Sequence, residues 1–441
     1  MEHGGGWQWN YSDPIFWDQA AHEEEWRRVA ALCRECGLCR KHCPAFDAFF
    51  SSSDRDSKAT SAPDSISLAQ KMAALCTLCG KCTNECPYKP PQERMIDFAL
   101  LMLRTKLILA AKAGIAAPDR FLGNSDLIGA IGGLTAPLSN AMNRWRVVRL
   151  LLEKSLRVHR DCRIPRFHRR TFEGWFRKKE RRIKRATLGR GGKVLLAPTC
   201  SVNYYYPEIG IAAVQILHHH DIQIICPPVR CCGGAHLETG NKEGFEMNME
   251  ANVTAFLPYV KRGYTIIMPQ PACCYTTIER TPWVLETADA RRVAEATIGL
   301  CEFLLGLREK GLLRTDFPRP GGRFLYHTPF APEQHEGGIA GWELLALIPG
   351  ADLRILNSTV GSGRTWGQRT DRYPASRRFM KEFILELERS PAEVLVSEDL
   401  QAGISLDLPE GLRPRHPIEV LRDAYGLSPK GDIPFAKGKG A

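Results

Sequence analysis

The sequence predicts a multidomain chain of α and α/β parts, and three observations predict it. Eight of the 16 cysteines crowd into residues 33–86, between stretches that read as helices. Glycine- and proline-punctuated helical patterns follow, and then a dense basic tract. Beyond residue 193 short apolar strands alternate with helices, the mark of a parallel α/β sheet. The same order returns about 130 residues later, the mark of an internal duplication. A length of 441 residues fits about three domains.

Residues 1–30 form an aromatic extension with Trp7, Trp9, Tyr11, Phe16, Trp17 and Trp26. Ser12-Asp13-Pro14 reads as a helix start, and residues 17–31 as the helix. The rings are expected to cover the first cysteine group, with a docking arm for a partner as the sharper alternative. Met1 to Tyr11 lack the charged and apolar regions of a secretory signal, so a reducing cytoplasm is expected.

Residues 31–100 carry the chemistry. Cys33, Cys36, Cys39 and Cys43 form C-x2-C-x2-C-x3-C followed by Pro44; Cys76, Cys79, Cys82 and Cys86 repeat it before Pro87. Zinc sites use C-x2-C pairs that stand alone, whereas this triple spacing is that of bacterial two-cluster ferredoxins. Three thiolates of each motif grip one [4Fe–4S] cluster and the fourth reaches the other. Cys33, Cys36, Cys39 and Cys86 are therefore assigned to cluster 1, and Cys76, Cys79, Cys82 and Cys43 to cluster 2. The polar insert Ser51–Ser65 between the motifs reads as a loop, and Pro90-Pro91 as opening a helix at Met95.

Residues 101–192 read as a helical connector. From Arg144 to Lys193 there are 19 Lys and Arg against four acids, a local balance of +15 within a net +11. Such a tract points to an anionic partner or surface. A solvated helical face is the default; nucleic acid ranks last, because no DNA- or RNA-binding module surrounds Trp175 and Phe176. No segment is expected to span a membrane: the apolar run Leu127–Leu138 has only 12 residues, and residues 95–113 carry four charges.

Residues 193–320 and 321–441 form the two α/β parts. In the first, cysteines follow each strand: Cys200 after 194–197, Cys231-Cys232-Gly233 after 222–225, Cys273-Cys274 after 264–268. Ligand sites gather at the carboxyl ends of parallel strands, so these thiols are expected to converge on a third iron–sulfur cluster or a zinc ion. His218-His219-His220 reads as a helix end where partly positive imidazoles suit the dipole. Cys162, Cys226 and Cys301 read as bystanders or packing residues.

The set Cys200, Cys231-Cys232-Gly233 and Cys273 resembles the cysteine-rich "CCG" domain of heterodisulfide reductase, glycolate oxidase and lactate-utilisation iron–sulfur subunits. A ferredoxin module joined to two such domains is similar to the family of the anaerobic glycerol-3-phosphate dehydrogenase C subunit, over nearly the whole chain after residue 30. The aromatic extension looks more like a ferredoxin-fused branch associated with rubrerythrin. The resemblance implies an α-helical two-[4Fe–4S] ferredoxin domain, a connector, and two duplicated CCG-type domains. Gln270 stands where the family's closing C-x2-C has its first cysteine, and Cys274 is a candidate replacement. In the second copy Phe330 lies opposite Cys200, Thr359-Val360-Gly361 opposite Cys231-Cys232-Gly233, and Asp399 and Ala402 at the C-x2-C positions, so that copy is degenerate. It keeps His327, Trp366-Gly367 and His416-Pro417 as scaffold.

The resulting expectation is an electron-transfer protein relaying between a flavoprotein dehydrogenase and a quinone or other acceptor, touching an anionic membrane peripherally. The alternatives are disulfide reduction at the third site and a partnership with a rubrerythrin-like peroxide-defence protein.

Overall fold

A computed structural model of the chain describes residues 10–41, 43–55, 66–90, 92, 94–185, 189–328, 339–358, 366–399 and 413–429. Trp7, Trp9, Pro91, Phe330, Thr359, Val360, Gly361 and Ala402 lie outside the described residues. The molecule is mostly helical, with two small all-parallel sheets.

The N-terminal part is helical throughout. Asp18 caps the Gln19–Cys36 helix by accepting from the Ala21 amide at 2.7 Å, and Gly37 ends it in the left-handed conformation that only glycine adopts freely. The Pro44–Arg55 helix runs into the predicted 51–65 loop and occupies its first five positions. The helix expected at Met95 begins at Phe98, because Asp97 is its cap and accepts from the Leu100 amide at 2.9 Å. Phe98–Ala113 also crosses the predicted domain boundary at residue 100. It is buried almost all round from Phe98 to Leu107. One side packs on the cysteine-bearing helices, and the other on the first α/β part.

The first sheet has the order β2-β1-β3-β4, with β1 Lys193–Leu196, β2 Gln223–Ile225, β3 Thr265–Met268 and β4 Thr297–Gly299. The second has the order β6-β5-β7, with β5 Arg323–Thr328, β6 Asp352–Asn357 and β7 Val394–Ser397. Both place the first strand between the next two, and every pair is parallel. Strand β4 and the Leu300–Glu309 helix add to the elements expected from the sequence. One apolar core runs through both sheets, joining Val194 and Leu196 to Phe324, Tyr326 and Val396.

The aromatic extension divides. Trp26 packs on Phe49 in the core that surrounds the N-terminal cysteines. Tyr11 and Phe16 instead stack against Trp283 of the first α/β part, with ring centroids 5.1 and 5.5 Å away. These two rings therefore do not cover the first cysteine group, contrary to the sequence expectation. The Arg104 guanidinium, fully buried, pins this turn through the carbonyls of Phe16 and Ile15.

In the basic tract, Phe172, Phe176 and Ile183 of the Phe172–Arg185 helix enter the core, leaving Arg177, Lys178, Arg181 and Lys184 outside. Trp175 and Phe176 are thus packing residues. No helix among the described residues is long and apolar enough to cross a membrane.

Candidate metal centres

The first motif is shaped by a helix end. Cys33 and Cys36 occupy the last turn of Gln19–Cys36, Cys39 lies in the short Leu38–Lys41 turn, and Cys43 directly precedes Pro44–Arg55. In the second motif Cys76 follows the Ile66–Leu75 helix, and Cys82 sits within the short Lys81–Asn84 helix. Thr83 Oγ1 donates to Asp97 at 2.9 Å, locking that turn to Phe98–Ala113.

The thiols of the two motifs act on one another electrostatically across the motifs. Burial, then Cys39, Cys86 and Cys36 as neighbours, push the Cys33 thiol up. Burial and then Cys86 raise Cys39 to about 12. Burial, then Cys76 and Cys79, push Cys43 up. Cys82 goes well up through burial and then Cys43, Cys76 and Cys79. Cys86 thus stands near the thiols of the first motif and Cys43 near those of the second, with Cys39 also acting on Cys82. Four close thiols cannot all ionise unless a cation holds the charge; thiolates suit zinc and copper(I) as well as iron–sulfur clusters, and the triple C-x2-C-x2-C spacing is what points to the last. The donor chemistry fits two clusters. A shallow cavity lined by Cys33, Cys36, Cys39 and Cys86 opens beside Leu38, which is 58% exposed.

Sequence reasoning missed Lys106. Its Nζ donates to the Cys76 carbonyl at 2.9 Å. Burial raises Cys76 to about 11, and Lys106 is the strongest opposing influence.

The third set gathers at the carboxyl ends of β1, β2 and β3, which are neighbours in the sheet. Cys200 lies on Thr199–Tyr204, Cys231 and Cys232 precede Gly233, and Cys273 lies on Pro271–Tyr275. All four are buried in one apolar cluster. Gly233 has φ +72°, and a Cβ there would sit 2.6 Å from the Phe245 ring, so the backbone can take this path only as glycine. Cys231 contacts the thiols of both Cys200 and Cys232, which push its own proton affinity well up ahead of burial. The Thr199 hydroxyl beside Cys200 is buried and has no hydrogen-bond partner among the described residues.

Asp126 of the connector reaches this set. Its Oδ2 accepts from the Cys231 amide at 2.7 Å, and burial, opposed by that hydrogen bond, raises its pKa. Tyr205 is pushed up by burial and then by Cys200 and Cys231. No spacing in the sequence links Asp126 to cysteines more than 70 residues away.

Cys274 turns elsewhere: after burial, its influences are Glu302 and Glu398. Glu398 accepts from the Gly341 amide at 3.1 Å and from the hydroxyl of Tyr326, and bonds the Cys301 thiol. Cys301, Glu398 and His416 lie close together. His416, however, has both ring nitrogens engaged, accepting from the Ile418 amide and donating to the Pro269 carbonyl at 2.9 Å. Gln270 and Asp399 meet: Gln270 Nε2 donates to Asp399 Oδ1 at 2.8 Å, both residues being buried.

The histidine tract is corrected. His220 accepts the Arg314 amide on Nε2 and so donates from Nδ1 to the Ile216 carbonyl as a neutral ring. Burial lowers its pKa, and with neighbouring cations lowers His219 to about 4. Desolvation outweighs the helix dipole here. Cys226 is influenced by Glu173 and Glu180 after burial rather than by the Cys231 loop. Cys162 is buried against the Arg149 guanidinium at 3.3 Å and is not an exposed bystander.

Residues 29–89 match the 4Fe-4S dicluster domain family, and the chain is an iron–sulfur protein. The chain is 24% identical to the C subunit of anaerobic glycerol-3-phosphate dehydrogenase from Escherichia coli (strain K12) over 306 residues, 69% of this chain and 76% of that protein. It is 25% identical to lactate utilization protein A of Geobacillus kaustophilus (strain HTA426) over 244 residues, 52% of this chain and 98% of that one. The chain is an electron-transfer iron–sulfur protein similar to the C subunit of anaerobic glycerol-3-phosphate dehydrogenase.

Proposed function

We propose that the protein is the electron-transfer subunit of an oxidoreductase, holding one [4Fe–4S] cluster on Cys33, Cys36, Cys39 and Cys86 and a second on Cys43, Cys76, Cys79 and Cys82. The observation that carries this reading is that Cys86 stands near the thiols of the first motif and Cys43 near those of the second. Such a cluster supplies a reversible one-electron couple. The chain's own residues hold it, exclude water and set its potential through burial and nearby charge. The electron donor is a flavoprotein dehydrogenase that docks over the Leu38 side of the first group. Cys200, Cys231, Cys232 and Cys273 form a third site, for a cluster or zinc, on a CCG-type domain. The second α/β part is its degenerate copy, supported by the shared strand order and the Gln270–Asp399 pairing.

Iron and zinc analysis with electron paramagnetic resonance on anaerobically purified protein tests this. About eight irons per chain support the two clusters, about twelve add a cluster at the third site, and about eight with one zinc make that site structural. An iron-free chain overturns the reading.

The acceptor lies at an anionic membrane face, a quinone being the fitting class. Eight of the 14 large apolar side chains exposed among the described residues fall between Phe121 and Leu151. Leu127, Ile131 and Leu134 follow helical spacing on Ser125–Leu134, and Leu134 is 82% exposed. Trp145 lies exposed between Arg144 and Arg146. Apolar side chains rimmed by an aromatic and cations suit the lipid interface. The contact therefore centres on these helices, with the basic face of Phe172–Arg185 as an electrostatic aid.

A further inference from the structure

Lys106 sits on a wall shared by two centres. On Phe98–Ala113, Leu101 and Met102 lie in the apolar core around the N-terminal cysteines, while Leu100, Leu103 and Leu107 lie in the core around Cys200, Cys231 and Cys232. The Lys106 ammonium donates to the carbonyl of Cys76 at 2.9 Å and to that of Glu238 at 3.3 Å. Glu238 ends the short helix that starts directly after Cys231-Cys232-Gly233. Close packing fixes the contact. Gly240 has φ +76°, and a Cβ on it would lie 2.8 Å from the Lys106 carbonyl oxygen and 2.6 Å from Ala110 Cβ.

The two four-thiol groups differ in charge around them. Arg28, the cation near Cys33, is neutralised by Glu25, whose two oxygens it grips at 2.6 and 2.7 Å. Glu85 stands near Cys39, and near Cys86 the Lys89 cation is offset by Asp97. Lys106, by contrast, spends its hydrogen bonds on neutral carbonyls, with Glu238 and Asp119 as more distant acids and Arg372 as a further cation. A charge in a low-dielectric wall acts strongly on any change of charge beside it.

We propose that Lys106 is a positioning residue that favours the reduced form of the cluster held by Cys43, Cys76, Cys79 and Cys82, making it the electron-accepting member of the pair on the side facing the third site. This rests on the relay reading above. The order of the relay is then inward, from the group beside exposed Leu38, through the group backed by Lys106, toward Cys231.

The test is a potentiometric titration of the anaerobic holoprotein followed by electron paramagnetic resonance. Cys86→Ser identifies which of the two reduction waves belongs to the second group, as the wave that survives. Lys106→Met is expected to shift that wave about tenfold in its reduction equilibrium, about 59 mV for one electron, toward the oxidised form. Lys106→Arg is expected to leave it near wild type. If Lys106→Met loses iron, Lys106→Gln, which keeps a donor without the charge, carries the same expectation. An unmoved wave, movement of the other wave instead, or an equal shift in Lys106→Arg overturns the inference. Absence of reducible clusters in the wild type would instead sink the relay reading itself.

Discussion

Replacing Gln270 by Met tests how much the Gln270–Asp399 hydrogen bond adds to the contact between the two α/β parts. Methionine keeps the volume and removes the amide, so the change isolates the hydrogen bond to Asp399. That bond is 2.8 Å long and both partners are buried, at 1% and 2% exposure. A buried hydrogen bond to a carboxylate is worth about 1.5–3 kcal/mol. Taking about 2 kcal/mol, and about 2–4 °C per kcal/mol for a unit of this size, Gln270→Met lowers the unfolding midpoint by about 4–8 °C. Asp399→Asn keeps a carbonyl acceptor for the Gln270 amide and costs less than half as much. The assay is thermal unfolding under nitrogen, followed by tryptophan fluorescence, with iron measured alongside. A Gln270→Met midpoint within about 1 °C of wild type, or a larger loss in Asp399→Asn, would refute the reasoning that this pair carries the contact.

The exchanged cysteines give a second prediction: Cys86→Ser and Cys43→Ser each lose one of two cluster signals, and different ones, by paramagnetic resonance and iron content. Changing Leu134, Leu138 and Leu151 together to Glu abolishes flotation with anionic liposomes, whereas Arg177, Lys178 and Lys179 to Glu weakens it in proportion to salt; flotation that survives the leucine changes rejects the membrane face. His22 gives a pH prediction. It is buried, its Nε2 lies 2.8 Å from Thr105 Oγ1, and burial followed by Arg104 lowers its pKa to about 4. An unfolded histidine titrates near 6.5, so protonation favours the unfolded chain. The stability His22 supports is complete above about pH 6.5 and is lost as pH falls toward 4, and His22→Gln should flatten that acid limb in denaturant melts.

Much of the architecture is legible in residue order because its signals are local. The C-x2-C-x2-C-x3-C-P spacing encodes ligand geometry directly, and the Pro207–His219 helix ends in the histidine tract as expected. What escapes depends on distant packing. Lys106 and Asp126 reach the cysteines from other helices, and nothing near them in sequence announces it. The Gln270–Asp399 contact needs both halves folded together. Strand β4, only Thr297–Gly299, is too short to show periodicity. The histidine tract is held neutral rather than partly positive, because burial outweighs the helix dipole where Tyr425 and the Arg314 backbone close over His220.

The seclusion of these cysteines bears on how the protein matures. Cys76, Cys200, Cys231, Cys232 and Cys273 are each at most 6% exposed, behind helices that bury both of their sides. Such low exposure favours loading of iron and sulfide before Phe98–Ala113 is clasped between its neighbours, and slows filling of a chain that closes empty.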